Sequence, residues 1–152
     1  MPPGLSLREQ IYADMKTTLA TITTTGGYAT TIGTVTRGSL SPLETDTLPT
    51  ASLLPVSDEP AYGVGVNRWR ITCVVRVWID TVLAETASTL EALIADVQEA
   101  MQVDSRRGGV AELTMDGPVQ YLYLQSTETV AGADVGFVVD YKTTLATPRE
   151  SV

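Results

Sequence analysis

The clearest pattern along the chain is an alternation of apolar and polar side chains over residues 68–80. The odd positions are all apolar: Trp69, Ile71, Cys73, Val75, Val77 and Ile79. Side chains two positions apart lie on the same face of a β-strand, so this stretch predicts a long strand with one face in the core. The even positions include Arg68, Arg70, Arg76 and Trp78. What this second face contacts is the main question that the sequence raises.

Two segments have the spacing of amphipathic helices. The first follows a capping box formed by Ser6 and Glu9, and we expect it to end at Gly26 and Gly27. The second starts near Ser88 with the same STLE type of box, and it ends at the cations and glycines of residues 106–109. Their apolar stripes are Leu7, Ile11, Met15, Leu19 and Ile22 in the first, and Leu90, Leu93, Ile94, Val97 and Met101 in the second.

The other segments predict strands at residues 28–37, 53–56, 111–124 and 134–146, with a break at Asp116, Gly117 and Pro118. Pro55 suggests an edge or a strand end, because proline lacks an amide donor. The order is then helix, three strands, helix, two strands. This order predicts one α+β domain over residues 1–152, a mainly antiparallel sheet of four to five strands with both helices packed on one face. We expect Leu19, Ile71, Val75, Leu93, Val97, Phe137 and Val139 in its core.

A long loop over residues 38–50 separates the first two strands. It has no regular period and carries three leucines, Leu40, Leu43 and Leu48. Loops of this length in compact domains are uncommon unless they have a function, so we expect this one to contact a partner.

Composition narrows the class of protein. The chain has 152 residues, a formal net charge of −8 and one cysteine. Its acidity argues against ordinary binding of duplex nucleic acid, which requires a basic surface. A single cysteine excludes an internal disulfide, and we expect Cys73 to fill space in the core. No stretch has the length and apolar character of a signal sequence or of a membrane span.

Candidate chemistry is sparse. The chain has no histidine, so a Ser-His or Cys-His nucleophile is impossible, and it has no phosphate-binding glycine motif. Asp58 with Glu59, or Glu44 with Asp46, is conceivable as a metal or acid–base pair, but no further ligands converge on either. The arginines and Trp78 are also conceivable as a base-stacking surface, which the net charge disfavours. We therefore expect a protein that is not an enzyme and has no cofactor.

Two interpretations of the arginine-bearing face remain. In the first, the arginines point into water or pair with acids on neighbouring strands of the same chain. In the second, they form a contact with another protein. The second is favoured by Val74 and Trp78 on the same face, because tryptophan and arginine on apolar surface are typical of interfaces. Our candidate interface residues are Arg68, Arg70, Arg76, Trp78, Leu40, Leu43, Leu48, Asp58 and Glu59.

The order of segments resembles that of the tail terminator proteins of long-tailed bacteriophages. The matching parts include the opening helix LREQIYADMKTTLATI, the strand RWRITCVVRVWID, the helix STLEALIADVQEAM, the break RRGG and the last strand GADVGFVVDYKTTLATP. The resemblance covers nearly the whole chain, and it is one of pattern and order.

This resemblance implies a structural protein of the virion that is assembled in the host cytoplasm. Such proteins form a six-fold ring that caps the tail tube, stops its growth and joins the neck of the head. The implied partners are other copies of the chain, the tail tube protein and a neck or head-completion protein; DNA passes through the ring without sequence-specific binding, and no membrane is involved. The resemblance further suggests that the arginine-bearing face meets acids of the next subunit. The alternatives are a head-completion or connector protein and, from another class, a small metal- or ligand-binding domain.

Overall fold

The computed structural model describes residues 4–38, 49–61, 67–80, 86–123 and 130–143. Seven elements follow in the predicted order: α1 (Leu7–Ala20), β1 (Thr34–Arg37), β2 (Thr50–Ala61), β3 (Asn67–Asp80), α2 (Thr86–Val103), β4 (Leu113–Tyr123) and β5 (Val130–Thr143). The strands form one sheet in the order β1-β2-β3-β5-β4. The β1–β2 pair is parallel, and the other three pairs are antiparallel. The predicted α+β class and its mainly antiparallel sheet are confirmed.

The core lies between the two helices and one face of the sheet. On β3 this face carries the odd positions, of which Ile71, Cys73, Val75 and Val77 have no exposed surface. All seven residues predicted for the core are fully buried in one cluster. Both predicted helix stripes are buried as well, because each helix places residues spaced by three and four on the side that meets the sheet.

Helix α1 starts as predicted but ends earlier. The Ser6 hydroxyl accepts the amide N–H of Glu9 at 3.1 Å. The predicted end at Gly26 and Gly27 is wrong, because the helix stops at Ala20, where the hydroxyl of Thr21 donates to the carbonyl of Thr18 at 2.6 Å. Residues 21–25, TITTT, are all β-branched, and such residues favour a helix less than the preceding ones.

The strand predicted over residues 28–37 is confined to β1 because a carboxylate from α2 holds its first part in another conformation. Asp96 is buried and accepts the amide N–H groups of Ala29 and Thr30 at 3.2 and 2.7 Å. It also accepts the Thr30 hydroxyl at 2.5 Å. These bonds occupy backbone donors that a strand would use in the sheet.

Helix α2 begins at Thr86, two residues before the predicted start near Ser88, so Ser88 lies inside its first turn and is not the N-cap that the predicted box requires. The helix ends at Val103, and Arg107 follows in the turn with a φ of 53°. Arg107 is completely buried. Its guanidinium donates to the carbonyl of Met101 in the last turn of α2 and to the carbonyl of Asp104 just after the helix.

Strand β2 is longer than residues 53–56, and Pro55 lies at an irregularity in its pairing with β3. The outer neighbour β1 pairs with β2 only from Thr50 to Leu53. Pro55 therefore lies beyond that pairing, as expected for a residue without an amide donor.

The parallel pairing of β1 and β2 gives the connection between them a structural reason for its length. Thr34 is opposite Thr50 and Arg37 is opposite Leu53, so the chain must return along β1 before β2 begins. Parallel neighbours cannot be joined by a tight hairpin. The predicted interface residues Leu40, Leu43 and Leu48 lie outside the described residues, as do Glu44 and Asp46.

Candidate functional site

The candidate site is the sheet face opposite the helices, which we call the open face. On β3 it carries Arg68, Arg70, Thr72, Val74, Arg76 and Trp78, because these alternate with the buried core positions. The register with β5 places Asp140 opposite Arg70 and Asp134 opposite Arg76. On the same face β5 also carries Lys142 and Val138, and glycine is opposite Val74 and Trp78.

Two bidentate ion pairs cross the open face from β3 to β5. Arg70 donates from Nε and Nη2 to the two oxygens of Asp140 at 2.8 and 3.0 Å. Arg76 makes the same arrangement with Asp134 at 2.7 and 2.9 Å. The hydrogen bonds that each arginine donates to its carboxylate raise the pKa of that arginine. The acids that these two arginines contact are therefore on the neighbouring strand of the same chain, as in the first of the two interpretations of this face.

The two pairs differ in their exposure to solvent. In the pair of Arg76 with Asp134, the side chains are 23% and 14% exposed. In the pair of Arg70 with Asp140, they are 56% and 28% exposed. Since screening by water weakens exposed ion pairs, the first pair is the stronger constraint on the open face.

A shallow groove of about 300 Å³ lies between the two ion pairs. Thr72 and Val74 line one side, Pro118 and Gln120 line the other, and Gly136 forms the floor. A side chain at Gly136 would meet the carbonyl oxygen of Pro118 at 2.6 Å, so glycine is required where the irregularity of β4 crosses β5. The groove therefore results from residues 116–118, which interrupt the pairing of β4 with β5.

Trp78 does not present its ring to a partner. It is 6% exposed, and its indole lies over Gly132, where a Cβ atom would come within 2.6 Å of the ring. The ring therefore has little exposed surface on which a nucleic-acid base could stack, and the role of Trp78 at a subunit interface stays a prediction. Arg68 is exposed, and its register partners are Ala61 and Lys142.

Asp58 and Glu59 lie on opposite faces of β2, because consecutive strand residues alternate. Asp58 points to the helix side, where it accepts hydrogen bonds from Arg8 and, at 2.7 Å, from the hydroxyl of Tyr141. Glu59 is exposed on the open face opposite Arg70. The two carboxylates cannot act on one metal ion, so that candidate pair is wrong. Within the described ranges, no group of three acidic or cysteine side chains is placed to hold a metal ion.

The acidic partners of Arg70 and Arg76 were not predicted from the sequence, although the spacing of the acids and of the arginines indicates the pairing. Arg70 and Arg76 are six positions apart, and so are Asp134 and Asp140. In two antiparallel strands equal spacings allow both pairs to form in one register, as they do here.

A second groove, which we call the edge groove, lies on the helix side between α1 and β1. It measures about 710 Å³. The residues that line it are Ala13, Lys16, Thr17, Ala20, Ile32, Gly33, Val35 and Arg37. Arg37 binds both oxygens of Glu9 and lies 5.3 Å from the ring centroid of Tyr12. The Arg37 hydrogen bond lowers the pKa of Glu9.

Comparison of the chain with protein-family models and with curated proteins found no match. In the part of the chain that the structure describes, no helix has the length and apolar character needed to cross a membrane.

Proposed function

We propose that this protein is a structural subunit of a bacteriophage tail, a tail terminator that forms a ring on the end of the tail tube. The observation that carries this proposal is the open face, on which two fixed ion pairs frame an apolar groove and no described helix covers the central strands. A sheet with helices on one side leaves its other side available for a partner.

The ion pairs leave the open face able to bind a neighbour. A guanidinium has five N–H donors, and each of Arg70 and Arg76 uses two of them on its own carboxylate. The remaining donors of Arg70 are on an exposed side chain. A fixed guanidinium also loses less conformational freedom on binding than a mobile one.

Apolar surface adjoins these charges. Val74 and Val138 are half-buried in the open face, and Leu113 at its outer strand is 44% exposed. Arginine beside partly exposed aliphatic side chains is the composition that favours a protein interface. The order of the segments, which resembles that of tail terminators, supports the proposal that this interface functions in a virion.

The alternatives differ in what the structure offers them. A head-completion or connector protein would use the same open face, so the identity of the bound ring separates it from a terminator. A metal-binding function that uses Asp58 and Glu59 is disfavoured, because the two side chains are on opposite faces of β2.

The test is assembly with the tail tube protein of the same phage. Tubes grown with the purified protein should carry a ring at one end and stop at a uniform length in negative-stain electron microscopy. A Val74→Asp variant should fold but fail to cap the tubes, because it places an unpaired charge in the centre of the interface. Ala95→Asp, which adds the same charge on the exposed side of α2, is the matched control. Tubes of unlimited length without rings, or normal capping by the Val74→Asp variant, would contradict the proposal.

A further inference from the structure

The described sheet has two outer strands, β1 and β4, at opposite sides. Each outer strand presents backbone N–H and C=O groups that can pair with another strand. A head-to-tail ring requires two different complementary surfaces on each subunit. The two outer edges are such a pair of surfaces.

The strand registers place part of β4 at the same level as β1, that is, at the same position along the strand direction. Thr36 is opposite Ser52, which is opposite Arg76; Arg76 is opposite Asp134, and Asp134 is opposite Gln120. The same chain of partners connects Thr34 with Leu122 and Arg37 with Val119. The segment of β4 after its irregularity therefore has the level and the length of β1.

The strand directions also agree. β1 and β5 run in one direction, and β3 and β4 run in the other. In a ring whose axis lies along the strands, each neighbour keeps its strand direction. An incoming β4 would then run antiparallel to β1, which is the more stable pairing.

Shape favours the same contact, and charge adds to it. The edge groove beside β1 carries Lys16 and Arg37, of which Arg37 is already paired with Glu9. Around β4, Glu91 and Asp116 are exposed on the helix side, and Val103 at the end of α2 is 77% exposed. The small residues Ala13 and Ala20 of α1 leave room in the groove for side chains of an added strand. Tyr121 is 40% exposed on the helix side of β4, where its hydroxyl donates to Glu91 of the same chain.

We propose that Val119–Tyr123 of one copy pairs with Thr34–Arg37 of the next copy, so that the sheet continues from subunit to subunit around the ring. This inference rests on the proposed function, because it needs a ring of identical copies. The edge groove then receives the side chains that the incoming strand directs to the helix side.

A cysteine pair at Thr36 and Gln120 tests the pairing. Opposed residues in antiparallel strands have Cα atoms about 4.5 to 5.5 Å apart, which lies within the span of about 4.4 to 6.8 Å that a disulfide bridges. The natural Cys73 is fully buried and does not compete. The double variant, assembled on tail tubes and oxidised, should give a ladder of covalent oligomers on a non-reducing gel.

The controls separate failure of the pairing from failure of the ring. Thr36→Cys alone and Gln120→Cys alone should give no ladder. Thr36→Cys combined with Arg106→Cys, which puts the second thiol in the exposed turn after α2, should give none either. Rings that are visible by microscopy but stay without cross-links would overturn the strand pairing and leave the terminator role intact. The absence of any ring would overturn both.

Discussion

The guanidinium of Arg107 lies 3.2 Å from the carboxylate of Asp14 and joins the turn after α2 to the middle of α1. The arginine is completely buried, whereas the aspartate side chain is 32% exposed. Burial lowers the pKa of Arg107, and Asp14 acts against that shift by favouring the charged form. The fold therefore holds a buried cation between its two helices, where it pairs with Asp14 and donates to the carbonyls of Met101 and Asp104, while its Nε has no hydrogen-bond partner among the described residues.

Replacing Arg107 should destabilise the protein strongly. We expect Arg107→Met to lower the free energy of unfolding by about 3 to 5 kcal/mol, as when one partner of a buried ion pair is removed. The neighbouring exposed Arg106→Met should change it by less than about 0.5 kcal/mol. Urea denaturation followed by circular dichroism measures both. Equal small losses in the two variants would show that the buried contacts of Arg107 add little.

Asp96 should be a second strong determinant of stability. Asp96→Ala removes three hydrogen bonds to residues 29 and 30 and leaves the donors of Ala29 and Thr30 without their carboxylate partner. We expect a loss of about 2 to 4 kcal/mol in the free energy of unfolding. The exposed Glu99→Ala in the same helix is the matched control. Faster hydrogen exchange should be confined to the amides of Ala29 and Thr30 under conditions where the variant remains folded.

The two ion pairs of the open face should differ in coupling. A double-mutant cycle with Arg76→Met and Asp134→Asn should give a coupling free energy of about 1 to 3 kcal/mol. This lies between the values typical of exposed and of buried ion pairs. The same cycle for Arg70 and Asp140 should give a smaller coupling, because that pair is more exposed. Thermal or urea unfolding of the four variants of each cycle provides the measurement. The reverse order would contradict the argument from exposure.

Cys73 should report on unfolding. Burial raises the pKa of its thiol from 9.0 to about 12, so almost no reactive thiolate exists at pH 8 in the folded protein. We expect a thiol reagent to label the native protein at least about a thousandfold more slowly than the unfolded chain, given the usual stability of small domains. A Thr36→Cys variant should gain one fast-reacting thiol. Rapid labelling of the wild type would show that β3 opens locally.

The connection between β1 and β2 should matter for assembly more than for stability. Replacing residues 39–48 with a Gly/Ser segment of equal length preserves the return path that the parallel strands require. We expect the free energy of unfolding to change by about 1 kcal/mol or less. In complementation of a phage that lacks its own copy, this variant should give headless tails and few infectious particles. Normal particles would show that the segment serves only as a connection.

Sequence patterns predicted the elements whose side chains have a regular period. Alternation on β3 and the stripes of both helices report directly on burial, since a core on one side imposes a period of two or about 3.6. The ends of the helices were less predictable. Thr21 ended α1 through a bond within its own turn, well before the glycines that looked like the stronger signal.

The contacts that the sequence could not predict are those between distant residues. The burial of Arg107 depends on the packing of α1 against the turn after α2. The burial of Asp96 depends on residues 29 and 30, which lie beside it in the fold but 67 and 66 positions away in the sequence. On the open face, composition located the candidate interface, but the intramolecular partners of Arg70 and Arg76 depended on the strand order.

The central pairing of β3 with β5 has a consequence for the folding rate. Two of the strand pairs, β2 with β3 and β4 with β5, consist of strands that follow each other in the sequence. The β3–β5 pair is different, because all of α2 and β4 lie in the sequence between the partners Val75 and Val135. The two sequence-local strand pairs can form early, but joining them closes a long loop and orders the core at the same step. The docking of these two halves along β3 and β5 should therefore limit the rate at which the protein folds.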